Sequence, residues 1–269
     1  MKKIILLFFF PLISFVSNSQ IIEKTDFSIG DVLEFESQTL QEKRTINIYI
    51  PESYHREPLQ KYPVIYLLDG SRDEDFIHIA GLVQFCSFSW INIIPESIVV
   101  GIGNIDRKKD FTFPSNNKTD QKDFPTTGNS KNFISFLEKE LPSIIENTYR
   151  TNGQKTIIGQ SLGGLLATEI LFKKPDMFDN YIIVSPSLWW DDESLLKFKF
   201  ANPIENKSIY IGVGKEGAVM ERVAKELHDK LNSNKASNTN LFFNFFEKQN
   251  HGDALHLAVY DSFEKMFKK

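Results

Sequence analysis

Two patterns of apolar residues divide the chain into half-exposed strands and fully buried strands. Polar and apolar positions alternate over residues 27–37 and 44–50, which predicts two antiparallel strands with one solvated face. Later apolar runs are continuous, as in the middle of a parallel sheet that helices cover on both sides. The runs at residues 62–68 and 97–103 predict such strands, and residues 155–158 also read as a buried strand. Further strands are expected at residues 181–185, 208–213 and 241–246.

Helices are predicted in the segments between these strands. They should span residues 75–88, 133–149, 218–231 and 254–267, and one more should begin after residue 161. Pro142 should kink or break the second of them, since proline lacks the N–H that a helix needs. The polar stretch 106–131 is predicted to be a long surface loop. The fold class is therefore α/β, a three-layer sandwich with a mostly parallel central sheet and antiparallel N-terminal strands.

The N-terminus is typical of a secretory signal peptide over residues 1–19. Basic residues come first, an apolar stretch follows at 4–16, and small residues precede Gln20. The apolar stretch is too short for a membrane span, and an uncleaved anchor is the alternative. We expect residues 20–269 to form a single domain that is secreted or periplasmic, without stable membrane association after cleavage.

Composition excludes several classes of protein. The 269 residues, 41% hydrophobic and 25% charged, suit one ordinary globular domain. Cleavage would remove Lys2 and Lys3 and move the net charge from −4 to about −6, with 29 basic against 35 acidic residues. A nucleic-acid surface is therefore not expected. Cys86 is the single cysteine, most simply a small buried hydrophobe, and no ligand spacing suggests a metal or another cofactor.

The segment from Gly159 to Gly163, Gly-Gln-Ser-Leu-Gly, separates a β-branched strand from a helix. A nucleophile elbow requires this order of strand, sharp turn and helix. Such a turn holds its serine in a strained conformation with the hydroxyl exposed, and the flanking glycines allow strand and helix to cross closely. Ser161 is therefore the candidate nucleophile. The alternative is a serine that only caps the helix.

A serine nucleophile needs a base, and a carboxylate can orient that base. His251 directly follows the last predicted strand, at the sheet edge where ligands collect in open α/β sheets. His256, in the last helix, is its main competitor. Glu216 follows the strand at 208–213 and is the first choice of acid, although a Ser–His pair alone is also possible. The alternative carboxylates are Asp191, Asp192 and Asp253.

Other residues are candidates for transition-state and substrate contacts. The backbone amides of Leu162 and Ser71 are expected to bind the oxyanion, because they follow the nucleophile and a central strand. The candidates for substrate binding are Arg72, Arg107, Trp189 and Trp190. The tryptophans could stack on an aromatic acyl group or cap the core. The arginines could hold an anion such as a catecholate or carboxylate, or form surface ion pairs.

Four segments resemble the putative esterase (esterase D) family of α/β-hydrolases, most closely bacterial siderophore esterases of the enterobactin type. They lie at residues 62–70, 159–164, 185–191 and 250–252, and residues 107–112 also resemble a family segment. The similarity runs from about residue 27 to the C-terminus. The resemblance implies that Ser161 and His251 are the catalytic pair. Members of the family differ in whether a carboxylate completes a triad.

The sequence thus predicts an exported serine esterase that works through an acyl-enzyme without a cofactor. Its partner would be a small-molecule or glycan ester, with a siderophore ester or an acyl-polysaccharide ester as candidates. An acyltransferase with the same Ser–His machinery and a non-catalytic binding module of the same fold are the alternatives. Oligomeric state is not predicted.

Overall fold

The computed structural model of the protein describes residues 21–268. The predicted signal peptide lies outside the described residues and stays a prediction. Within residues 21–268, no helix has the length and apolar character to cross a membrane. The same part of the chain contains no group of three or more His, Cys, Asp or Glu side chains placed to hold a metal ion.

Eight strands form one sheet. They are β1 (Gly30–Ser37), β2 (Glu42–Tyr49), β3 (Tyr62–Leu67), β4 (Ile98–Ile102), β5 (Thr151–Gln160), β6 (Asn180–Val184), β7 (Ser208–Gly214) and β8 (Asn240–Phe246). Their spatial order is β1-β2-β4-β3-β5-β6-β7-β8. β2 is antiparallel to both of its neighbours, and the strands from β4 to β8 in this order are parallel. This confirms the predicted sheet with its antiparallel N-terminal strands.

Helices cover both faces of the sheet. They are α1 (Ser53–Arg56), α2 (Phe76–Ser87), α3 (Arg107–Phe111), α4 (Lys118–Asp123), α5 (Ser130–Ser135), α6 (Leu141–Thr148), α7 (Leu162–Lys173), α8 (Trp190–Glu193), α9 (Ala218–Asn234) and α10 (Ala254–Phe267). Adjacent residues of a strand point to opposite faces, so Ile157 packs in the core under α7 and α9 and Ile158 in the core under α2 and α10. These three layers confirm the predicted α/β sandwich.

The stretch 106–131 is not the surface loop that its polarity predicts. It contains α3, α4 and the start of α5, and both Asp110 and Phe111 are buried. The Asp110 carboxylate lies 2.9 Å from the fully buried guanidinium of Arg44, and the Phe111 ring packs on Phe133. The prediction was wrong because a charged residue can be buried when it forms an ion pair with a residue of opposite charge on a strand that is distant in sequence.

The predicted interruption at Pro142 is confirmed. α5 continues through a π-helical turn, Phe136–Glu140, into α6, where Pro142 lies in the first turn. The Leu141 N–H bonds to the Phe136 carbonyl five residues back. A first helical turn tolerates proline because its N–H groups have no partner inside the helix.

Candidate active site

Ser161 lies at the sharp turn between β5 and α7 with φ 59° and ψ −119°, a strained conformation for a residue with a side chain. A Cβ on Gly159 would stand 2.4 Å from the Gly163 carbonyl oxygen, so the crossing admits only glycine there. The Ser161 N–H donates to the Val184 carbonyl at 3.1 Å, which fixes the turn to β6. The Ser161 side chain makes no capping hydrogen bond to α7, so the helix-cap interpretation is wrong.

The Ser161 hydroxyl has a polar neighbour that was not among the predicted site residues. Its Oγ lies 3.3 Å from the Oγ of Ser187, and the Ser187 N–H donates to the Ser161 carbonyl at 3.0 Å. Within residues 21–268, no hydrogen bond joins Ser161 to His251, although both line one cleft. Catalytic hydrogen bonds are often long in structures without substrate and shorten only in the complex.

His251 and Glu216 meet at the carboxyl edge of the sheet, as predicted from their positions after β8 and β7. His251 Nδ1 lies 2.5 Å from Glu216 Oε2. The His251 side chain is 46% exposed and that of Glu216 only 2%, so the carboxylate holds the ring from its buried side. The side-chain amide of Gln160, next to Ser161, donates to the His251 carbonyl at 2.7 Å and anchors the loop.

The surroundings of Glu216 keep its carboxyl group ionised. Burial alone would raise the pKa of Glu216. Hydrogen bonds from His251, Ser185 and the Gly214 N–H outweigh burial, and they hold the pKa of this carboxyl below its usual range. An ionised carboxylate only accepts hydrogen bonds, so Nδ1 of the imidazole carries the proton and Nε2 is free to accept one.

The alternative acids and bases have other partners. Asp191 and Asp253 accept hydrogen bonds from backbone N–H groups, those of Asn116 and Asn250, and Asp192 accepts one from the Asn117 side chain. His256 lies on α10 with its ring 5.3 Å from that of His78 on α2. In the part of the chain that the structure describes, Glu216 alone bonds the His251 ring.

The two predicted oxyanion donors are placed differently. Leu162 lines the cleft of Ser161 and begins α7, where the first N–H groups have no partner inside the helix. The Ser71 N–H instead donates to the Glu74 carboxylate at 3.1 Å, and Ser71 lines a neighbouring cleft. Ser71 would have to release Glu74 before its amide could bind an oxyanion.

The adjacent tryptophans divide between the cleft and the core. Trp189 lines the cleft and packs on Phe124, with ring centroids 6.0 Å apart. Trp190 is fully buried and donates its indole N–H to the Phe113 carbonyl at 2.8 Å. The prediction of a substrate contact was therefore wrong for Trp190, because neighbouring residues of a tight turn point in different directions.

The two predicted arginines also separate. Arg107, on α3, lines the cleft of Ser161 and holds the Asp69 carboxylate with Nε at 2.6 Å and Nη2 at 2.9 Å. Its Nη2 also donates to the Gln160 carbonyl at 3.2 Å, so Arg107 ties the end of β3 to the elbow. Arg72 is exposed and lines the neighbouring cleft, so the structure does not bring it to Ser161.

Two adjoining clefts meet at Ser161, Ser187 and Trp189. The first, of about 610 Å³, runs past Arg107 to Phe124, and the second, of about 540 Å³, contains His251. Two further lysines line these clefts and were missed by sequence reasoning: Lys108 and Lys215. A lysine in a polar segment is usually solvated, so nothing in the sequence marked these two. Ser187 lies in the family-like segment 185–191, Ser-Pro-Ser-Leu-Trp-Trp-Asp, which is the signal that could have identified it.

Comparisons with known proteins show which family the chain resembles. A family model described as "Putative esterase" matches residues 37–260. A Bacillus subtilis (strain 168) protein named ferri-bacillibactin esterase BesA is 34% identical over 169 residues, 58% of this chain and 58% of that protein, so the match spans less than two thirds of either chain.

Solved structures show the same architecture. The crystal structure of an IroE-like serine hydrolase from Shewanella oneidensis matches with a TM-score of 0.76 and 32% identity, covering 89% of this chain and 80% of that one. The BES protein from Bacillus cereus matches with a TM-score of 0.78 and 26% identity, covering 94% and 100%.

Proposed function

The chain belongs to the putative esterase family, and we propose that it hydrolyses carboxylic esters through an acyl-enzyme on Ser161. The observation that carries the proposal is the buried Glu216 carboxylate on His251, in the cleft that the strained Ser161 lines. Acyl transfer through serine needs a hydroxyl, an imidazole that takes its proton, and a group that orients the imidazole. These three groups follow the carboxyl ends of β5, β8 and β7 in one sheet.

The proposed reaction has two halves. Ser161 Oγ attacks the ester carbonyl while its proton passes to His251 Nε2, and Glu216 stabilises the imidazolium. The Leu162 amide, at the positive end of α7, binds the oxyanion. The C–O bond to the alcohol then breaks, and the alcohol takes the proton from His251. Water attacks the acyl-enzyme with the same imidazole as base, and the acid leaves.

The clefts favour an aromatic, anionic substrate on this proposed mechanism. Trp189 lines both clefts, Lys108 lines the first of them and Lys215 the second, whereas Arg107 is bound to Asp69. Aromatic rings stack on tryptophan, and cations hold catecholate or carboxylate groups. The relative named a ferri-bacillibactin esterase supports a siderophore ester as the substrate. An acyl-polysaccharide ester is the other candidate, since a feruloyl group is also aromatic.

Removing the nucleophile tests the proposal. Ser161→Ala should lower the hydrolysis of p-nitrophenyl acetate by about 10⁴-fold or more, because the acyl-enzyme cannot form. A fluorophosphonate probe should label wild-type Ser161, located by mass spectrometry of peptides, and leave the variant unlabelled. Undiminished turnover by a folded variant would refute the serine mechanism. Partition of the acyl group between water and added methanol separates a hydrolase from an acyltransferase.

A further inference from the structure

Ser187 is a buried hydroxyl in direct contact with the nucleophile. The residue is 2% exposed, and its Oγ lies 3.3 Å from Ser161 Oγ. Among the described residues the Ser187 hydroxyl has no other hydrogen-bond partner. A buried hydroxyl without a second partner can turn toward a reacting oxygen when Ser161 leaves it for His251.

The topology of the sheet places Ser187 on the side of the base. β5, which carries Ser161, lies between β3 and β6. The turn after β3 is on one side of the nucleophile. Ser187 follows β6 on the other side, toward β7 and β8, whose ends carry Glu216 and His251. Ser187 also lines the cleft that contains His251. Ser187 and His251 therefore share the cleft in which an oxygen that exchanges a proton with His251 would bind.

We propose that Ser187 is a further catalytic residue, whose hydroxyl binds the oxygen that exchanges its proton with His251. The inference rests on the proposed serine mechanism. In acylation that oxygen is the alkoxide of the leaving alcohol, which takes the proton from His251 as its C–O bond breaks. Ser187 donates a hydrogen bond to this oxygen, which stabilises the negative charge that develops on it in the transition state.

In deacylation the same position holds the attacking water. One O–H of the water donates to Ser187 Oγ and the other faces His251 Nε2, so a lone pair points at the acyl carbon. The water gives its proton to His251 as its oxygen bonds to that carbon. The bond between the carbon and Ser161 Oγ then breaks, and His251 returns the proton to Ser161.

Ser187→Ala isolates this role, because the backbone N–H that holds the Ser161 carbonyl stays in place. The assay uses a p-nitrophenyl ester in rapid mixing. Acylation is the release of p-nitrophenolate, and deacylation is the decay of the acyl-enzyme in acid-quenched samples by mass spectrometry. p-Nitrophenolate leaves without a proton, so acylation by this ester needs no help from Ser187.

We expect deacylation in Ser187→Ala to be about ten- to a hundredfold slower, with acylation changed by no more than about threefold. Ser187→Thr, which keeps a hydroxyl, should restore most of the deacylation rate. Ser130→Ala is the matched control, since Ser130 is fully buried and its hydroxyl has no partner within the described residues. Both of its rates should equal those of the wild type.

A structural role for Ser187 predicts a different outcome. If both rates fall by the same factor, or if deacylation is unchanged, the inference is overturned. Should Ser187→Ala fail to fold, judged by its thermal midpoint, Ser187→Cys replaces it, and its weak S–H donor should slow deacylation selectively. An acyl group that never appears on wild-type Ser161 would refute the proposed serine mechanism itself, which keeps the two failures distinguishable.

Discussion

Glu216→Gln is the sharpest test of the carboxylate, because it removes a charge and keeps the shape. Oε1 of Glu216 accepts hydrogen bonds from Ser185 and, at 2.9 Å, from the Gly214 N–H, and an amide oxygen can keep both. The amide nitrogen then faces His251 Nδ1, where Oε2 lay at 2.5 Å. Because an amide nitrogen only donates, Nδ1 must accept, and the ring proton moves to Nε2.

The wrong tautomer sets the size of the effect. An imidazole protonated at Nε2 cannot take the proton of Ser161, so the variant keeps its binding groups and loses its base. The corresponding exchange in the serine-protease triad lowers kcat about 10⁴-fold, or about 5.5 kcal/mol of activation free energy. We expect a loss of about 10³- to 10⁴-fold in kcat, with a smaller change in KM because Glu216 acts through His251.

The assay is steady-state hydrolysis of a p-nitrophenyl ester near neutral pH. Asp253→Asn is the matched control, since Asp253 lies in the same loop as His251 and was an alternative acid. Asp253 accepts a hydrogen bond from the Asn250 N–H at 2.6 Å, and asparagine can accept it too. This control should keep kcat within about threefold. A Glu216→Gln variant with more than about a tenth of wild-type kcat would refute the reasoning.

The same variant has an expected stability profile. The pKa of Glu216 in the folded protein lies below its usual range, so its ionisation stabilises the fold at neutral pH. That contribution begins to disappear as the pH falls below the ordinary glutamate pKa of about 4.3, and it is lost as the pH passes the lower folded value. The thermal midpoint of Glu216→Gln should therefore fall less steeply than that of the wild type between about pH 5 and 3.

Two further predictions concern the tryptophan pair and the buried pair of Arg44 and Asp110. Trp190→Ala should lower the free energy of unfolding by about 3–5 kcal/mol in urea titrations, because the ring is fully buried. Trp189→Ala should lower the free energy of unfolding by only about 1 kcal/mol, and it should raise KM more for aromatic esters than for acetyl esters. Equal destabilisation by the two tryptophan substitutions would contradict the assignment of Trp189 to the cleft and Trp190 to the core. Arg44→Met should cost about 3–5 kcal/mol, because the Asp110 carboxylate stays buried without its partner. Arg44→Met/Asp110→Leu should recover part of that loss, and a double variant less stable than the single one would disprove the reasoning.

The apolar runs in the sequence were enough to locate the strands of the sheet. All eight predicted strands are present, although β5 begins at Thr151, four residues earlier than the run at 155–158 suggested. A continuous apolar run predicts a strand reliably, because a strand that is covered on both faces has apolar side chains at every position. The order of the site residues followed from the same pattern, since parallel strands bring their carboxyl ends to one edge and Ser161, Glu216 and His251 each follow a strand.

Hydropathy did not reveal which polar residues would be buried. Asp110 is paired with Arg44, 66 residues away in sequence, and this contact converts a polar stretch into a packed wall beside the site. Arg107 lies on that wall and bonds Asp69 and the Gln160 carbonyl. The local hydropathy pattern does not reveal such pairs. Each charged residue on its own resembles an exposed, solvated residue, and only the folded chain brings the two together.

The sequence alone was therefore enough to predict the α/β sandwich, the elbow at Ser161, and His251 and Glu216 as the partners of that serine. Only the tertiary structure decided that Trp189 faces the cleft while Trp190 fills the core, that the Ser71 amide is bound to Glu74, and that Ser187 touches the nucleophile. The physical reason is that residues following parallel strands all lie at the same edge of the sheet, so their positions in the sequence predict where they lie. The direction of a side chain and its hydrogen-bond partner depend instead on contacts between distant segments.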